Sequence, residues 1–343
     1  MKVYAPGKLI LSGEHAVIYG RPALAMAVNR YAVATITRSV LSRLDERARS
    51  ITFDLSDLAH RGHLNLDAIR HLKNRIKRKY YKFIRGDFSI RDVLHKPFEL
   101  AQFAFSIFVE SLNLSLPHGV HIHIQSDIPM GCGMGSSAAT ILSVMHAVSN
   151  HLQLTLSSES LFQIALEAEK MQHGFSSGLD LRTSLQGGCL YMHGQDIKAR
   201  SLPLFSMYLV NTGTPITSTG QCIEKVTNHF KSQQLADEFA AVTDAMDEAL
   251  QQQSWNNMQA AIRDNYELLV KIGVVPERVQ RFITDIAAAG GAAKICGAGA
   301  VAGDSAGAVL IAHDDYQVVS ALAMRYGYTV APIVGETRGV HVV

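Results

Sequence analysis

The chain has 343 residues, 48% of them hydrophobic and 18% charged, with a formal net charge of +2. This is the composition of an ordinary soluble globular protein, long enough for two domains or one bilobed unit, and its near-neutral balance argues neither for nor against an anionic partner. No apolar run approaches a membrane span, and the stretch before Ser12, Glu14 and His15 is too short for a signal-peptide core. Cys132, Cys189, Cys222 and Cys296 are scattered, without a CxxC pair or metal-ligand spacing. They read as buried or loop thiols in a reducing compartment, so a cytoplasmic location is expected.

Residues 1–38 read as short strands broken by glycine turns, and "RYAVATITR" has the alternation of a half-buried strand. A polar stretch follows to about residue 92 and includes Arg70–Arg85, which holds eight Lys or Arg and no acid. A solvated helix face explains that run better than nucleic acid, because no compact nucleic-acid-binding motif accompanies it. "FELAQFAFSIFVESL" has helical spacing, "GVHIHIQSDIPM" is an alternating strand, and "SSAATILSVMHAVSNHL" is again helical. His121 and His123 share one strand face with no third ligand at suitable spacing, so they read as partly exposed strand histidines.

A helix is predicted over Ser158–His173, capped by Ser157 or Ser158. The loop "GFSSGLDLRTSLQGG" and the strand "CLYMHG" come next. From "LFSMYLVNTG" onward a second unit is predicted, with helices over 234–252, 255–272 and 276–289 and the strands "AAKICG" and "AGAVLIA". A short helix over 316–326 and the strand "TVAPIV" close it. Strands and helices mixed without strict βαβ alternation indicate an α+β, two-lobed protein, divided into 1–200 and 201–343.

The segment "DIPMGCGMGSSAA", residues 127–139, joins a strand to a helix through three alternate glycines. That arrangement presents backbone N–H groups and a positive dipole end to an anion. It is not a GxxxxGK[ST] loop, and it is out of register for GxGxxG. "GAGAVA" at 297–302 fits GxGxxA but leads into a turn and a strand, against a dinucleotide site. Alone, the loop could be a tight turn; Ser136 and Ser137 add hydroxyls able to cap the helix, bind phosphate oxygens or coordinate Mg2+.

Three segments carry a family resemblance. "PMGCGMGSSAA" resembles the glycine motif of the GHMP kinases, with Met134 at the usual Leu. "APGKLILSGEHAVIYG" at 5–20 resembles their first motif and "KICGAG" at 294–299 their third, in matching order and spacing across nearly the whole chain. "GEHAVIYG" and "HGFSSGLD" are most similar to the mevalonate kinase branch. The resemblance implies a two-lobed fold, with an N-terminal lobe like domain 2 of ribosomal protein S5 and a C-terminal ferredoxin-like lobe. It also implies an ATP- and Mg2+-dependent kinase acting on a small alcohol, mevalonate, in isoprenoid synthesis, and a homodimer without nucleic-acid or membrane partners.

Carried over residue by residue, the resemblance places the ATP phosphates on Gly133, Met134, Gly135, Ser136, Ser137 and Ala138, and Mg2+ on Ser136 and Glu169. Asp180 becomes the base towards the acceptor hydroxyl, with Lys8 beside it. Glu14 and His15 line the acceptor pocket, His15 as a hydrogen-bond donor, joined by Ser218, Thr219, Gly297, Ala298 and Gly299. Read locally, Glu169 could be a solvated surface acid, Asp180 a turn cap and Ser218 a helix cap. The third motif departs from the family pattern: "GAGAVAGDSAG" is longer and poorer in glycine, and Gly303-Asp304 resembles phosphomevalonate kinases. A phosphomevalonate kinase, or another GHMP kinase, is therefore the alternative acceptor reading. A catalytically silent ligand-binding regulator is the alternative of another class, and the presence of both Lys8 and Asp180 argues against it.

Overall fold

The computed structural model describes residues 1–39 and 50–343; the start of the polar stretch, 40–49, lies outside the described residues. Two long antiparallel strands, β1 (Lys2–Ser12) and β2 (Ala23–Arg38), form its spine. The expectation of short strands broken by glycines is corrected here. Gly7 stays within β1 and sits at a register shift, because a bulge absorbs the extra residue without ending the ladder.

Two strands that the sequence reading left inside a polar stretch follow, β3 (Ile51–Leu55) and β4 (His60–Leu64). Next come α1 (Leu66–Ile84), α2 (Glu99–Ser111), β5 (Val120–Ser126), α3 (Ser136–His151) and α4 (Ser158–His173). The predicted loop after α4 instead contains α5 (Leu179–Gln186), before β6 (Cys189–His193) and β7 (Asp196–Arg200). The rest of the chain is β8 (Met207–Asn211), α6 (Thr219–Val226), α7 (Gln233–Gln251), α8 (Trp255–Lys271), α9 (Glu277–Ala288), β9 (Ala292–Ile295), β10 (Ala308–Ala312), α10 (Tyr316–Tyr326), β11 (Thr329–Pro332) and β12 (His341–Val342).

The larger sheet has the order β12-β1-β2-β5-β3-β4, with β6 joining β2 to β7, and the smaller has the order β11-β8-β10-β9. Each sheet is covered by helices, which gives the two-lobed α+β architecture. In α2 every residue from Glu99 to Phe108 is buried, because the helix is wedged between α1, α3 and α4 rather than lying on the surface. Phe53, Phe103, Phe105 and Phe108 fill that core, while Phe239, Phe282, Leu269 and Val309 fill the second.

The basic run falls on α1, where neighbouring acids meet its charges. Lys73 pairs with Glu110, Arg75 with Glu99 at 2.6 Å and Lys77 with Glu167 at 2.7 Å. His121 and His123 each lie 3.7 Å from Asp54, and among the described residues no group of three His, Cys, Asp or Glu could hold a metal ion. All four cysteines are buried and free. Among the described residues, no helix is long and apolar enough to cross a membrane.

The lobes meet along the end of β1. Ser12 Oγ lies 2.8 Å from Thr243 Oγ1 of α7, and Asn265 of α8 donates to Ser12 Oγ at 3.3 Å. The glycine loop is stitched to the smaller sheet by backbone, with Ala308 N–H donating to the Cys132 carbonyl at 3.1 Å.

Candidate active site

Gly131, Gly133 and Gly135 all have φ between +70° and +79°, the left-handed region that side chains disfavour. Close approach adds a second reason at two of them. A Cβ on Gly133 would stand 2.5 Å from the Cys296 carbonyl oxygen, and one on Gly135 would stand 2.9 Å from Lys8 Cγ. The loop is therefore pinned between the third glycine segment and β1. It delivers the chain into α3, whose N-cap Gly135 has no side-chain capping bond. Helix geometry leaves the N–H groups of Ser136, Ser137 and Ala138 without intrahelical acceptors, the condition for an anion site. Met134 and Ala138 bury their side chains in the core, so what they offer the cleft is backbone.

Lys8 ties the parts together. Its main-chain N–H donates to the Met134 carbonyl at 2.9 Å, and its ammonium donates to the Gly133 carbonyl, also at 2.9 Å. The same ammonium lies 3.1 Å from Asp180 Oδ2. Asp180 is in the first turn of α5, which starts after Gly178 at φ +77°. It is a helical residue aimed at Lys8 rather than a turn cap.

Glu169 is 1% exposed, which removes the surface reading, whereas Glu167 faces out to Lys77. Burial, and then the Asp180 charge nearby, raise the Glu169 carboxyl to about 8. Ser176 donates to Glu169 Oε2 and accepts from the Gly178 N–H at 3.0 Å. Lys8, Ser136, Glu169, Ser176 and Asp180 all line one cleft of about 910 Å3 between the lobes.

At the far side of Lys8, the chain leaves β1 through Gly13, at φ +95° and packed on the Pro22–Ala23 backbone. This turn places Glu14 and His15 in the cleft wall. Burial pushes Glu14 up, opposed by its ion pair with Lys294 of β9. Burial lowers His15 to about 4, so the ring is neutral at neutral pH. Its Nε2 lies 3.1 Å from the Ala298 carbonyl, which requires the proton on Nε2 and leaves Nδ1 as an acceptor. The donor role expected of His15 is thus turned towards Ala298.

Ser218 is the N-cap of α6, in a capping box with Gln221. It lines a smaller side cavity of about 340 Å3, where Thr219 and Gly299 also lie. Thr219, Gly297 and Ala298 face the main cleft as well. Gly299 is required by packing: a Cβ there would sit 2.2 Å from the Val274 carbonyl oxygen.

Three residues in this region were not singled out from the sequence: His173, Ser176 and Lys294. His173 ends α4 with Nε2 3.0 Å from Ser137 Oγ, and burial lowers its pKa. The signal for it and for Ser176 lay in "HGFSSGLD" itself. The signal for Lys294 was a lone lysine inside an otherwise apolar strand.

Residues 99–188 match the family model described as "GHMP kinases N terminal domain". The mevalonate kinase of Archaeoglobus fulgidus is 30% identical over 298 residues, covering 86% of this chain and 88% of that protein. The mevalonate kinase of Pyrococcus horikoshii is 26% identical over 309 residues, covering 86% of this chain and 84% of that one. In fold, the structure of the Methanococcus jannaschii mevalonate kinase matches with a TM-score of 0.78 at 23% identity, covering 98% of each chain. The chain belongs to the GHMP kinase family, and the relatives it resembles there are mevalonate kinases.

Proposed function

We propose that this protein transfers the γ-phosphoryl group of ATP to the 5-hydroxyl of mevalonate. The observation that carries the reading is the position of Lys8, whose one ammonium bridges the glycine loop at Gly133 and the carboxylate of Asp180. That places a phosphate cradle and a proton acceptor on either side of a single cation. The Gly133–Ala138 backbone would hold the β- and γ-phosphates on its free N–H groups. The acceptor hydroxyl would lie between Asp180 and the γ-phosphorus. As the new O–P bond forms, its proton passes to Asp180, the bond to the ADP oxygen breaks, and Lys8 balances the charge on the transferring group.

The donor set also fits Mg2+: the Glu169 carboxylate and the Ser136 hydroxyl are hard oxygen ligands in the same cleft, and ATP phosphates and water would complete the shell. Bound there, the ion would neutralise phosphate charge. Ser176 orients Glu169 for this, and His173 fixes the Ser137 hydroxyl beside the loop. Gly297 and Ala298 from the third segment, with Thr219, would close the cleft over the acceptor. We place the enzyme in the cytoplasm as a homodimer on the family resemblance.

Glu14 favours mevalonate over 5-phosphomevalonate. Its carboxylate stands beyond Lys8 in the cleft wall, and the lysine that reaches it, Lys294, is already paired. An acceptor bringing a further phosphate there would meet negative charge. The test is ADP release with Mg-ATP and mevalonate, 5-phosphomevalonate or homoserine in parallel. A kcat/KM at least tenfold higher on mevalonate is expected. A preference for 5-phosphomevalonate would overturn the assignment of acceptor.

A further inference from the structure

Lys294 lies in β9, within the smaller sheet, and has no exposed surface. Its ammonium donates to Glu14 Oε1 and, at 3.2 Å, to the Ile10 carbonyl. A strand of the C-terminal lobe thus reaches across the lobe boundary to grip a carboxylate at the end of β1. Such a pair is a poor source of stability, since well-packed apolar residues of the same volume commonly serve as well or better. Its presence calls for another use.

Glu14 Oε2 supplies that use. It is buried, it has no hydrogen-bond partner among the described residues, and Glu14 lines the cleft. A bare buried carboxylate oxygen is costly until a donor reaches it. The neighbouring groups do not provide one. Lys8 is committed to Gly133 and Asp180, Lys294 to Oε1 and Ile10, and the His15 Nε2 proton to Ala298. The missing donor is therefore to be sought in the ligand. With the reacting hydroxyl at Asp180, on one side of Lys8, Glu14 on the other side faces the next polar group along the acceptor.

We propose that Glu14 Oε2 accepts a hydrogen bond from the second hydroxyl of a 1,3-diol acceptor, the tertiary 3-hydroxyl of mevalonate, and that Lys294 is the positioning residue that holds Glu14 for it. This deepens the mevalonate reading and rests on it. Glu14 then selects the acceptor by touching it, and Lys294 acts only through Glu14. A site built to bond a hydroxyl penalises the analogue lacking it, because its own buried polar atom is left unpaired.

The test compares mevalonate with its 3-deoxy analogue, 5-hydroxy-3-methylpentanoate, in steady-state assays of the full chain. Wild type, Lys294→Met and the isosteric Glu14→Gln are run together, with ATP affinity measured for each as a check on folding. Wild type is expected to lose about 10- to 100-fold in kcat/KM on the deoxy compound, mainly through KM. In both variants that ratio should fall to about threefold or less, with KM for mevalonate raised and ATP affinity unchanged. Glu14→Gln carries the test if Lys294→Met does not fold. A merely structural Lys294 would depress both substrates alike and keep the full wild-type ratio, which would overturn the inference while the mevalonate reading stood. Wild type inert on mevalonate but active on another acceptor would overturn both.

Discussion

Replacing Gly133 by alanine separates two costs that the glycine loop imposes. Gly194, in the turn between β6 and β7, provides the control: its φ is +61°, and a Cβ there would meet nothing within 4 Å. Gly194→Ala should therefore cost only the left-handed backbone penalty, about 1 to 2 kcal/mol, and leave kinetics unchanged. Gly133, at φ +79°, incurs the same penalty and also drives a methyl group to 2.5 Å from the Cys296 carbonyl oxygen. That oxygen belongs to backbone anchored by the Cys296 N–H bond to the Ala308 carbonyl at 2.8 Å, so it cannot swing aside as a side chain would. Overpacking of this kind adds about 1 to 3 kcal/mol. The loop must open by roughly 1 Å to restore an ordinary contact, and a displacement of that size costs about 100-fold in rate when it separates positioned reactants. Urea denaturation and steady-state kinetics on both variants give the comparison. Equal stability losses and an unchanged kcat/KM for Gly133→Ala would refute the account of why this glycine is there.

Other outcomes follow from the same geometry. Asp180→Asn keeps the shape beside Lys8 but cannot take a proton, and kcat should fall by about 10² to 10⁴ with ATP binding retained; a fall of less than tenfold would reduce Asp180 to a positioning group. Ser176→Ala removes the bond that orients Glu169, so the Mg2+ concentration at half-maximal rate should rise about 10-fold while the rate at saturating Mg2+ stays near wild type; an unchanged Mg2+ response would place the ion elsewhere. His15 is lowered from 6.5 to about 4, so the unfolded chain binds the extra proton first. Its contribution is present above pH 6.5 and is lost as pH falls towards 4, which amounts to about 2 kcal/mol between pH 7.5 and 5. Denaturation of the ligand-free protein should show wild type losing about that much more than His15→Gln over this interval; parallel losses would mean that the buried ring is not the cause.

Local signals in the sequence were strong where one segment carries both the pattern and its meaning. The alternating strand into three glycines and then Ser136–Ser137 foretold β5, the loop and α3, and Ser157 ahead of a periodic run foretold α4. Where the meaning depends on a distant partner, the sequence was silent. Lys294 and Glu14 are 280 positions apart, and nothing in "AAKICG" says which carboxylate the lysine meets. His173 likewise gains its role from Ser137, 36 positions earlier. β3 and β4 are five-residue strands within a polar stretch, held by pairing with β5 and each other rather than by strong propensity. α5 was hidden because "GFSSGLD" looks like a loop, yet Gly178 at positive φ starts a helix that aims Asp180 at Lys8.

The central claim is that Lys8 and Asp180 direct the γ-phosphoryl group onto a single hydroxyl of mevalonate. Phosphorus NMR of a reaction containing the protein, Mg-ATP and mevalonate tests it most directly. The account predicts ADP and an equimolar phosphomonoester coupled to the C5 methylene protons, with both signals absent when Asp180→Asn replaces the wild type. ADP accompanied by free inorganic phosphate, or an ester that forms equally well without the Asp180 carboxylate, would contradict it.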